Sequence, residues 1–377
     1  MDKRVYVAAC DGYDFDTLKQ QVDTIFDTLD LSSLIKPGMN VVMKPNLIMK
    51  SKPDTAIITH PQVAAAVGCK IQELGGRVTI AESGGGPYTS GLLKSSYALC
   101  GYEEIAKKHG FHLNTDCGYQ PVEAPNGLRS RLFNIIDPIR EADLIVDLAK
   151  LKSHCMTGLS GAVKNMFGSV PGLMKPELHC RFPDKTDFGT MLVDLCELVR
   201  PKIVFVDAVT AMEGNGPTGG RPRQVGALLA GTDPYCVDLI SCHIMHMDPK
   251  TICMMQSAME RGLCPESLSE LTVLGEDPDK FVVEDYLQPE SRSTDFLTRV
   301  PKIFRPIATK ITTPKPKIRT KDCVGRGKCA ESCPQHTIEI KNRKAQIHYN
   351  KCIKCYCCHE MCPMKAVDIQ RFSLFSL

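Results

Sequence analysis

Two cysteine runs near the end of the chain constrain it more than any other feature. Cys352, Cys355, Cys358 and Cys362-Pro363 read C-x2-C-x2-C-x3-C-P. Upstream, Cys323, Cys329 and Cys333-Pro334 repeat the pattern, but Arg326 stands at the second cysteine position. Thiolates at these spacings hold iron–sulfur clusters, and in two-cluster ferredoxins the fourth cysteine of each run ligates the other run's cluster. That rule assigns Cys352, Cys355, Cys358 and Cys333 to a complete [4Fe–4S] site. Cys323, Cys329 and Cys362 are left around a second site. Its readings are a [3Fe–4S] cluster, a labile [4Fe–4S] cluster with a non-cysteine ligand, or no cluster. Arg326 is cationic, does not deprotonate and makes a poor ligand. Cys357, an extra thiol in the second run, reads as a spectator or as a substitute for the missing ligand.

At 377 residues the chain has room for two or three domains. The N-terminus lacks an apolar leader, and no stretch approaches the roughly 18 apolar residues of a membrane span. Of the 19 cysteines, eight fall in the cysteine-rich segment and the rest are scattered, which predicts a reducing, cytoplasmic setting in an anaerobic or microaerobic host. Charge is uneven. Residues 296–377 hold 17 Lys/Arg against 5 Asp/Glu, leaving 29 against 38 for the remainder. A basic end can dock on an acidic body, or steer an acidic redox partner or an anionic substrate. No nucleic-acid-binding motif accompanies the charge, so nucleic acid is not an expected partner.

Strand-like and helix-like segments alternate from residue 1 to about 287. Strands are expected at Arg4–Ala9, Asn40–Lys44, Arg77–Glu82, Ala142–Leu148, Lys202–Asp207, Gly226–Ala230 and Leu271–Leu274. Helices are expected around Phe15–Leu29, Pro61–Leu74, Thr157–Phe167, Thr186–Val199, Pro234–Met247 and Thr251–Arg261. Such alternation predicts an α/β fold with a mainly parallel sheet flanked by helices, followed by a small α+β ferredoxin domain. Residues 288–320 are rich in proline and basic residues and read as a linker. Within it, a surface helix over Phe296–Thr312 would be broken by Pro301 and Pro306. The ferredoxin-type domain is expected over 321–372, as half-motifs 321–342 and 343–372, with a hairpin of Thr337–Ile340 and Ala345–His348 between the cysteine runs.

Open α/β sheets bind ligands beyond the C-terminal ends of their strands. Lys44-Pro45-Asn46 follows one strand, and Glu82-Ser83-Gly84-Gly85-Gly86 follows another. The glycines permit close backbone approach and an anion nest, but match neither a dinucleotide fingerprint nor a phosphate loop. Lys150 and Lys152-Ser153-His154 follow a third strand, with Lys164-Asn165 on the next helix. Asp207 and Glu213-Gly214-Asn215 close a fourth. The plain reading makes these turns, caps and solvated strand ends. Their collection at one sheet edge points instead to a site for a carboxylate or phosphate, with Lys44, Asn46, Glu82, Gly84, Gly85, Asn165, Asp207, Glu213 and Asn215 binding. Lys152, His154 and Lys164 would be the catalytic group, His154 as proton donor because imidazole titrates near neutrality. His154, Cys155, His179 and Cys180 lack zinc-like spacing.

These stretches, with Gly161–Asn165, Phe167-Gly168, Met212–Pro217, Asp233-Pro234 and Val237-Asp238, resemble the family known as domain of unknown function 362. The resemblance spans roughly 35–265 and implies a frequent C-terminal ferredoxin fusion, but no reaction. Arg326 departs from the usual ferredoxin tail. The sequence therefore reads as an iron–sulfur protein that passes electrons to a small anionic substrate in the α/β domain, a possible oxidoreductase. A dedicated electron carrier whose α/β domain recognises a redox partner protein is one alternative. A non-redox lyase that uses an open-site cluster as a Lewis acid is another.

Overall fold

The fold, taken from a computed structural model, is described for residues 2–290 and 314–370. It begins with β1 (Arg4–Ala9), α1 (Phe15–Thr28), β2 (Asn40–Pro45), α2 (Pro61–Glu73), β3 (Arg77–Ile80), α3 (Ser90–Leu99), α4 (Tyr102–His109) and β4 (His112–Leu113). A hairpin of β5 (Tyr119–Glu123) and β6 (Leu132–Ile136), then α5 (Asp137–Arg140), lead into β7 (Leu144–His154) and β8 (Gly158–Ser160). Next come α6 (Ala162–Asn165), α7 (Met174–Arg181), α8 (Lys185–Val199), β9 (Ile203–Glu213) and β10 (Arg221–Gly231). The α/β part ends with α9 (Pro234–Ile244), α10 (Cys253–Glu260) and β11 (Thr272–Gly275).

The main sheet has the order β11-β1-β10-β9-β7-β2-β3-β4, with β8 paired to β7. Its pairings are parallel except where β10 joins β1 and β9, and where β8 folds back on β7. Period-two alternation gives each strand two apolar faces. Val41, Met43, Val146, Leu148, Ile203 and Phe205 face the layer of α1, α2 and α4. Val42, Ile145, Ala149, Val204 and Val206 face the layer of α8, α9 and α10. Helix starts follow capping chemistry. Asp14 accepts from the Thr17 amide, Asp184 from Thr186 and Asp187, and Asp233 from Tyr235 and Cys236 with Pro234 at the first helical position.

The α/β expectation holds, but three boundaries move. Strand β7 runs through Lys150, Lys152 and His154, which the sequence places in a loop. Its end stays in the sheet because Lys152 pairs with Met212 on one side and Ser160 on the other. Strand β9 likewise carries Asp207 and continues to Glu213, held by the hairpin with β10. The helix expected over Thr157–Phe167 is instead β8, α6 and a 3-10 turn at Met166–Ser169.

The cysteine-rich end is a separate small layer. Strand β12 (Lys315–Ile318) pairs antiparallel with β15 (Val367–Gln370), and β13 (Ile338–Lys341) pairs with β14 (Lys344–Ile347). Two one-turn helices, α11 (Lys328–Glu331) and α12 (Cys357–Glu360), pack on each other. Lys315–Ile318, expected inside the linker, thus belong to this layer. The Phe296–Thr312 segment lies outside the described residues. Among the described residues, no helix is long and apolar enough to cross a membrane.

Candidate functional site

Three adjacent strand ends and one short helix deliver the site. β2 supplies Lys44, with Asn46 just beyond it; the turn after β3 supplies Glu82 to Gly86; β7 supplies Lys152 and His154. Lys164 and Asn165 sit on α6. The Asp238 carboxylate of α9 accepts from the first amides of that helix, Ala162 at 2.7 Å and Val163 at 3.0 Å. Burial pushes Asp238 up to about 7, against the pull of those two amides.

The polar side chains form one network. Lys44 Nζ donates to Glu82 Oε2 at 2.5 Å and to Asn165 Oδ1 at 3.3 Å. Asn46 Nδ2 donates to the same Asn165 oxygen at 3.0 Å. Lys152 Nζ donates to Asn46 Oδ1 at 2.8 Å and to Ile57 O at 2.7 Å, both neutral acceptors. Asn165 Nδ2 reaches Asp147 Oδ1 at 2.6 Å, while Asp147 Oδ2 is buried without a hydrogen bond among the described residues. Gly168 makes the convergence possible, since a Cβ there would stand 2.1 Å from Glu82 Oε1 and 2.6 Å from Lys44 Nζ.

In front of this network lies a cavity of about 80 Å³ that opens to solvent. The α/β part lines it with Asn46, Glu82, Gly84, Gly85, Lys164 and Lys175, and with the apolar Ile48 and Phe167. The cysteine-rich layer closes it with Ser332, Cys357, Glu360 and Met361. Two hydrogen bonds help hold that layer in place: Thr218 Oγ1 to Glu360 O at 2.9 Å, and His359 Nε2 to Asn215 O at 2.9 Å.

The cavity is rich in strained cations. Burial lowers Lys164, with Glu360 opposing, and its Nζ lies 5.3 Å from the Phe167 ring centroid. No hydrogen-bond or ion-pair acceptor meets that ammonium among the described residues. Burial pulls the half-buried Lys175 down to about 7, against Glu82, although its Nζ donates to Ser83 O at 2.5 Å and Gly84 O at 3.1 Å. Burial, with Lys164 and Lys150 adding to it, pushes Lys152 well below its ordinary value. Burial raises Glu82 and Glu360 against their lysine neighbours. His154 Nδ1 accepts from the Met156 and Thr157 amides at 3.1 and 3.3 Å, so its ring proton belongs on Nε2. That Nε2 lies 3.3 Å from Glu360 Oε1 but off the hydrogen-bond axis, and both atoms are buried without hydrogen bonds among the described residues. Burial lowers His154 well below neutrality and His179 to about 3.

Lys44, Asn46, Glu82, Gly84, Gly85, Lys152, His154, Lys164 and Asn165 therefore share one region. Asp207, Glu213 and Asn215 do not line it. Asp207 pairs with Lys150 at 2.7 Å and accepts from Tyr13 Oη at 3.0 Å. Glu213 holds Arg221 at 2.8 Å and the Leu287 amide at 3.1 Å. Asn215 Oδ1 accepts from the Glu290 amide at 3.0 Å. These are ties within the framework. Sequence reading noted Lys175 and His179 among the polar residues near the strand ends without giving them a role, and did not place Asp147, Cys357 or Glu360 at the site. A usable signal existed for the last two: residues between ligand cysteines on a one-turn helix point away from the ligands.

Cys333, Cys352, Cys355 and Cys358 line a second, small cavity of about 20 Å³, with Pro316, Ile338, Ile347 and Tyr356 among its walls. Cys323, Cys329 and Cys362 lie together elsewhere in the layer, close enough that Cys362 and Cys323 add to the burial that raises the Cys329 thiol. Amide N–H groups of Thr337, Ala345 and Ala366 each point at a sulfur, of Cys333, Cys323 and Cys362, at 3.3 Å. Such donors favour thiolate over thiol. Among the described residues, no three His, Cys, Asp or Glu side chains close tightly enough on one point to hold a single metal ion. Cys357 lines the lysine cavity and hydrogen-bonds to Cys355, rather than joining Cys323, Cys329 and Cys362.

The fold and site define an α/β domain whose strand-end cavity is closed by a cysteine-rich layer. Residues 41–243 match the model of the family described as a domain of unknown function, DUF362, and the chain belongs to that family. A thylakoid-associated protein of Synechocystis sp. is 33% identical over 299 residues, covering 77% of this chain and 89% of its own length. Among solved structures, the lactate racemase apoprotein of Thermoanaerobacterium thermosaccharolyticum is similar at 14% identity and a TM-score of 0.41, covering 65% of this chain and 57% of that one. A Thermotoga maritima protein is similar at 12% identity and a TM-score of 0.34, covering 57% and 55%. The chain thus spans little more than half of each solved structure, and neither likeness bears on the reaction.

Proposed function

We propose that this chain is an iron–sulfur protein that passes electrons from its C-terminal cysteine sites to a small anionic substrate in the lysine-lined cavity. One observation carries the reading. The one-turn helix α12 presents Cys358 to the four-cysteine cavity, and Cys357 and Glu360 to the lysine cavity. A cluster site and a ligand site thus share one wall.

The donor chemistry fits a cluster. Four sulfurs line one cavity rather than closing on a point, and the Thr337 amide aimed at Cys333 stabilises negative charge there. When bound on Cys333, Cys352, Cys355 and Cys358, a [4Fe–4S] cluster supplies one-electron chemistry. Cys323, Cys329 and Cys362 provide three thiolates for a second cluster, [3Fe–4S] or labile [4Fe–4S]. The chain's own residues do the rest. Lys164 feels Glu360 but has no acceptor within hydrogen-bond or ion-pair distance among the described residues, and Lys175 has only neutral oxygens as hydrogen-bond acceptors, so an anion would relieve the desolvation of both. Asn46 and Asn165 orient it. The glycine turn lets its backbone approach the ligand closely. Burial keeps His154 neutral, with its one ring proton on Nε2 beside Glu360, so it is part of the wall that positions Glu360 and not the source of a transferred proton. A carrier that only relayed electrons would need no buried, unpaired lysine.

Anaerobic purification with iron, sulfide and EPR analysis tests the reading. Replacing Cys355 by serine should remove about half of the iron, because one of two sites loses a ligand. Iron content that is unchanged, or absent from the unsubstituted chain, sinks the cluster assignment. Calorimetric titration with phosphate and acetate tests the cavity separately.

A further inference from the structure

The cysteine-rich layer has a face that nothing among the described residues covers. Residues 314–370 carry 12 Lys/Arg against 5 Asp/Glu. Glu360 is buried in the cavity wall. The other four acids are matched within the layer: Asp322 and Asp368 with Arg319, Glu331 with Lys328, and Glu339 with His348. Lys321, Arg326, Lys341 and Arg343 are exposed and have no carboxylate partner among the described residues. They surround two exposed apolar side chains, Val324 at 44% and Ile340 at 36%.

These residues form one surface rather than a scatter along the sequence. A Cβ on Gly325 would stand 2.5 Å from Arg343 O, and one on Gly327 would stand 4.0 Å from Ile340 Cγ1. The 323–327 loop therefore lies against the β13–β14 hairpin. Lys344 Nζ donates to Cys323 O at 2.6 Å, and the Ala345 amide donates to Cys323 Sγ at 3.3 Å. The patch thus covers the site of Cys323, Cys329 and Cys362, whereas the four-cysteine site abuts the substrate cavity.

We propose that this face docks an acidic electron-carrier protein, and that electrons enter the chain at the three-cysteine site. An apolar centre ringed by unpaired cations complements an acidic rim around an exposed redox centre, and such charge matching mainly sets encounter rate and orientation. One electron leaves the carrier's reduced iron–sulfur or flavin centre, which is oxidised, and arrives on the chain, which is reduced. No proton or group moves with it. The inference rests on the proposed iron–sulfur reading and adds a direction: in over the three-cysteine site, out at the lysine cavity.

The test uses the full chain purified anaerobically, with an acidic plant-type ferredoxin as the probe. Calorimetry measures Kd for the oxidised probe at low and moderate ionic strength, and stopped-flow mixing follows electron arrival from the reduced probe. The double variant Lys341→Glu/Arg343→Glu should weaken binding and slow electron arrival by about tenfold or more at low salt. Its iron content and its reduction by dithionite should not change. The single variant Lys321→Glu should act in the same direction, more weakly. Unchanged Kd and rate in the double variant, at normal iron content, would overturn the docking face while leaving the cluster reading intact. Absence of iron in the unsubstituted chain would overturn both. A third outcome is binding to phosphatidylglycerol vesicles that the charge reversal abolishes, with the carrier's Kd unaffected. It would assign the face to an anionic membrane and overturn the carrier proposal.

Discussion

Lys150 and Lys152 stand two residues apart on the same strand, and both have no exposed surface. Yet their surroundings are opposite. Lys150 donates to Asp207 Oδ2 at 2.7 Å and to Tyr13 Oη at 2.9 Å. Asp207 also accepts from the His60 amide at 2.9 Å, and Tyr13 stacks on the His60 ring at 3.7 Å. Every charge in that cluster is answered. Lys152 meets only the amide oxygen of Asn46 and a backbone carbonyl, and it faces the region where Lys164 and Lys175 are also poorly matched. A buried ion pair with full hydrogen bonding ties strands together. A buried ammonium without a counter-ion costs free energy and makes sense where an anion arrives from outside.

The comparison breaks first, if it is wrong, at Lys150. Lys150→Met should destabilise the chain by ~3–5 kcal/mol, because it leaves the Asp207 carboxylate buried and without its cation. Urea unfolding should report this, and adding Asp207→Asn should recover part of the loss. A negligible change would mean that the pair is not a structural tie. Lys164→Met should behave in the reverse way. Stability should change by less than ~1 kcal/mol, since no ion pair is broken, while affinity for the bound anion falls about 10- to 100-fold. If Lys164→Met destabilises as strongly as Lys150→Met, Lys164 belongs to the framework.

The same contrast explains what could be read from the sequence. Alternating apolar strands and capped helices made the α/β fold legible, and the order of strand-end polar residues located the site's edge. Their pairing was not legible. Lys150 and Lys152 are equivalent in sequence, and only the register of β7 on β9, with Lys150 opposite Asp207 and Lys152 opposite Met212 after an irregularity, puts Asp207 beside the first and not the second. Lys152 and His154 read as site residues on a loop beyond the strand, because polar side chains inside a strand usually face water. Here they face a polar interior instead. The closing wall was hidden for another reason. Cys357 and Glu360 lie about 200 residues beyond α6 in the chain, inside a motif that draws attention to its other cysteines.

Lys175 sharpens the contrast through pH. Its folded value is about 7, below the ordinary 10.5. Between these values the unfolded chain binds more protons than the folded one, so this group makes stability rise with pH. Its penalty is complete below about 7 and is lifted as pH approaches 10.5. Anion binding should run the other way, weakening as pH rises above about 7 and the ammonium is lost. Lys175→Met should flatten both profiles. Parallel rather than opposed profiles in the unsubstituted chain would mean that Lys175 does not meet the ligand.

The smallest effect is expected where the two layers touch across the cavity mouth. A Cβ on Gly85 would come 2.3 Å from Met361 Sδ, while one on Gly84 would come 2.9 Å from Leu47 O. The sulfur ends a flexible side chain that can swing aside, whereas the carbonyl belongs to backbone held in place. Gly85→Ala should therefore cost less than ~1 kcal/mol, and Gly84→Ala should cost more despite the longer contact. Iron content should be the same in both, because neither residue touches the cysteine sites. Displacing Met361 changes the cavity's shape, so Gly85→Ala should alter anion affinity a few-fold with little loss of stability. If Gly85→Ala instead loosens the cysteine-rich layer, seen as faster hydrogen exchange in β12 and β15, Met361 is a clamp between the layers rather than a movable part of the cavity lining.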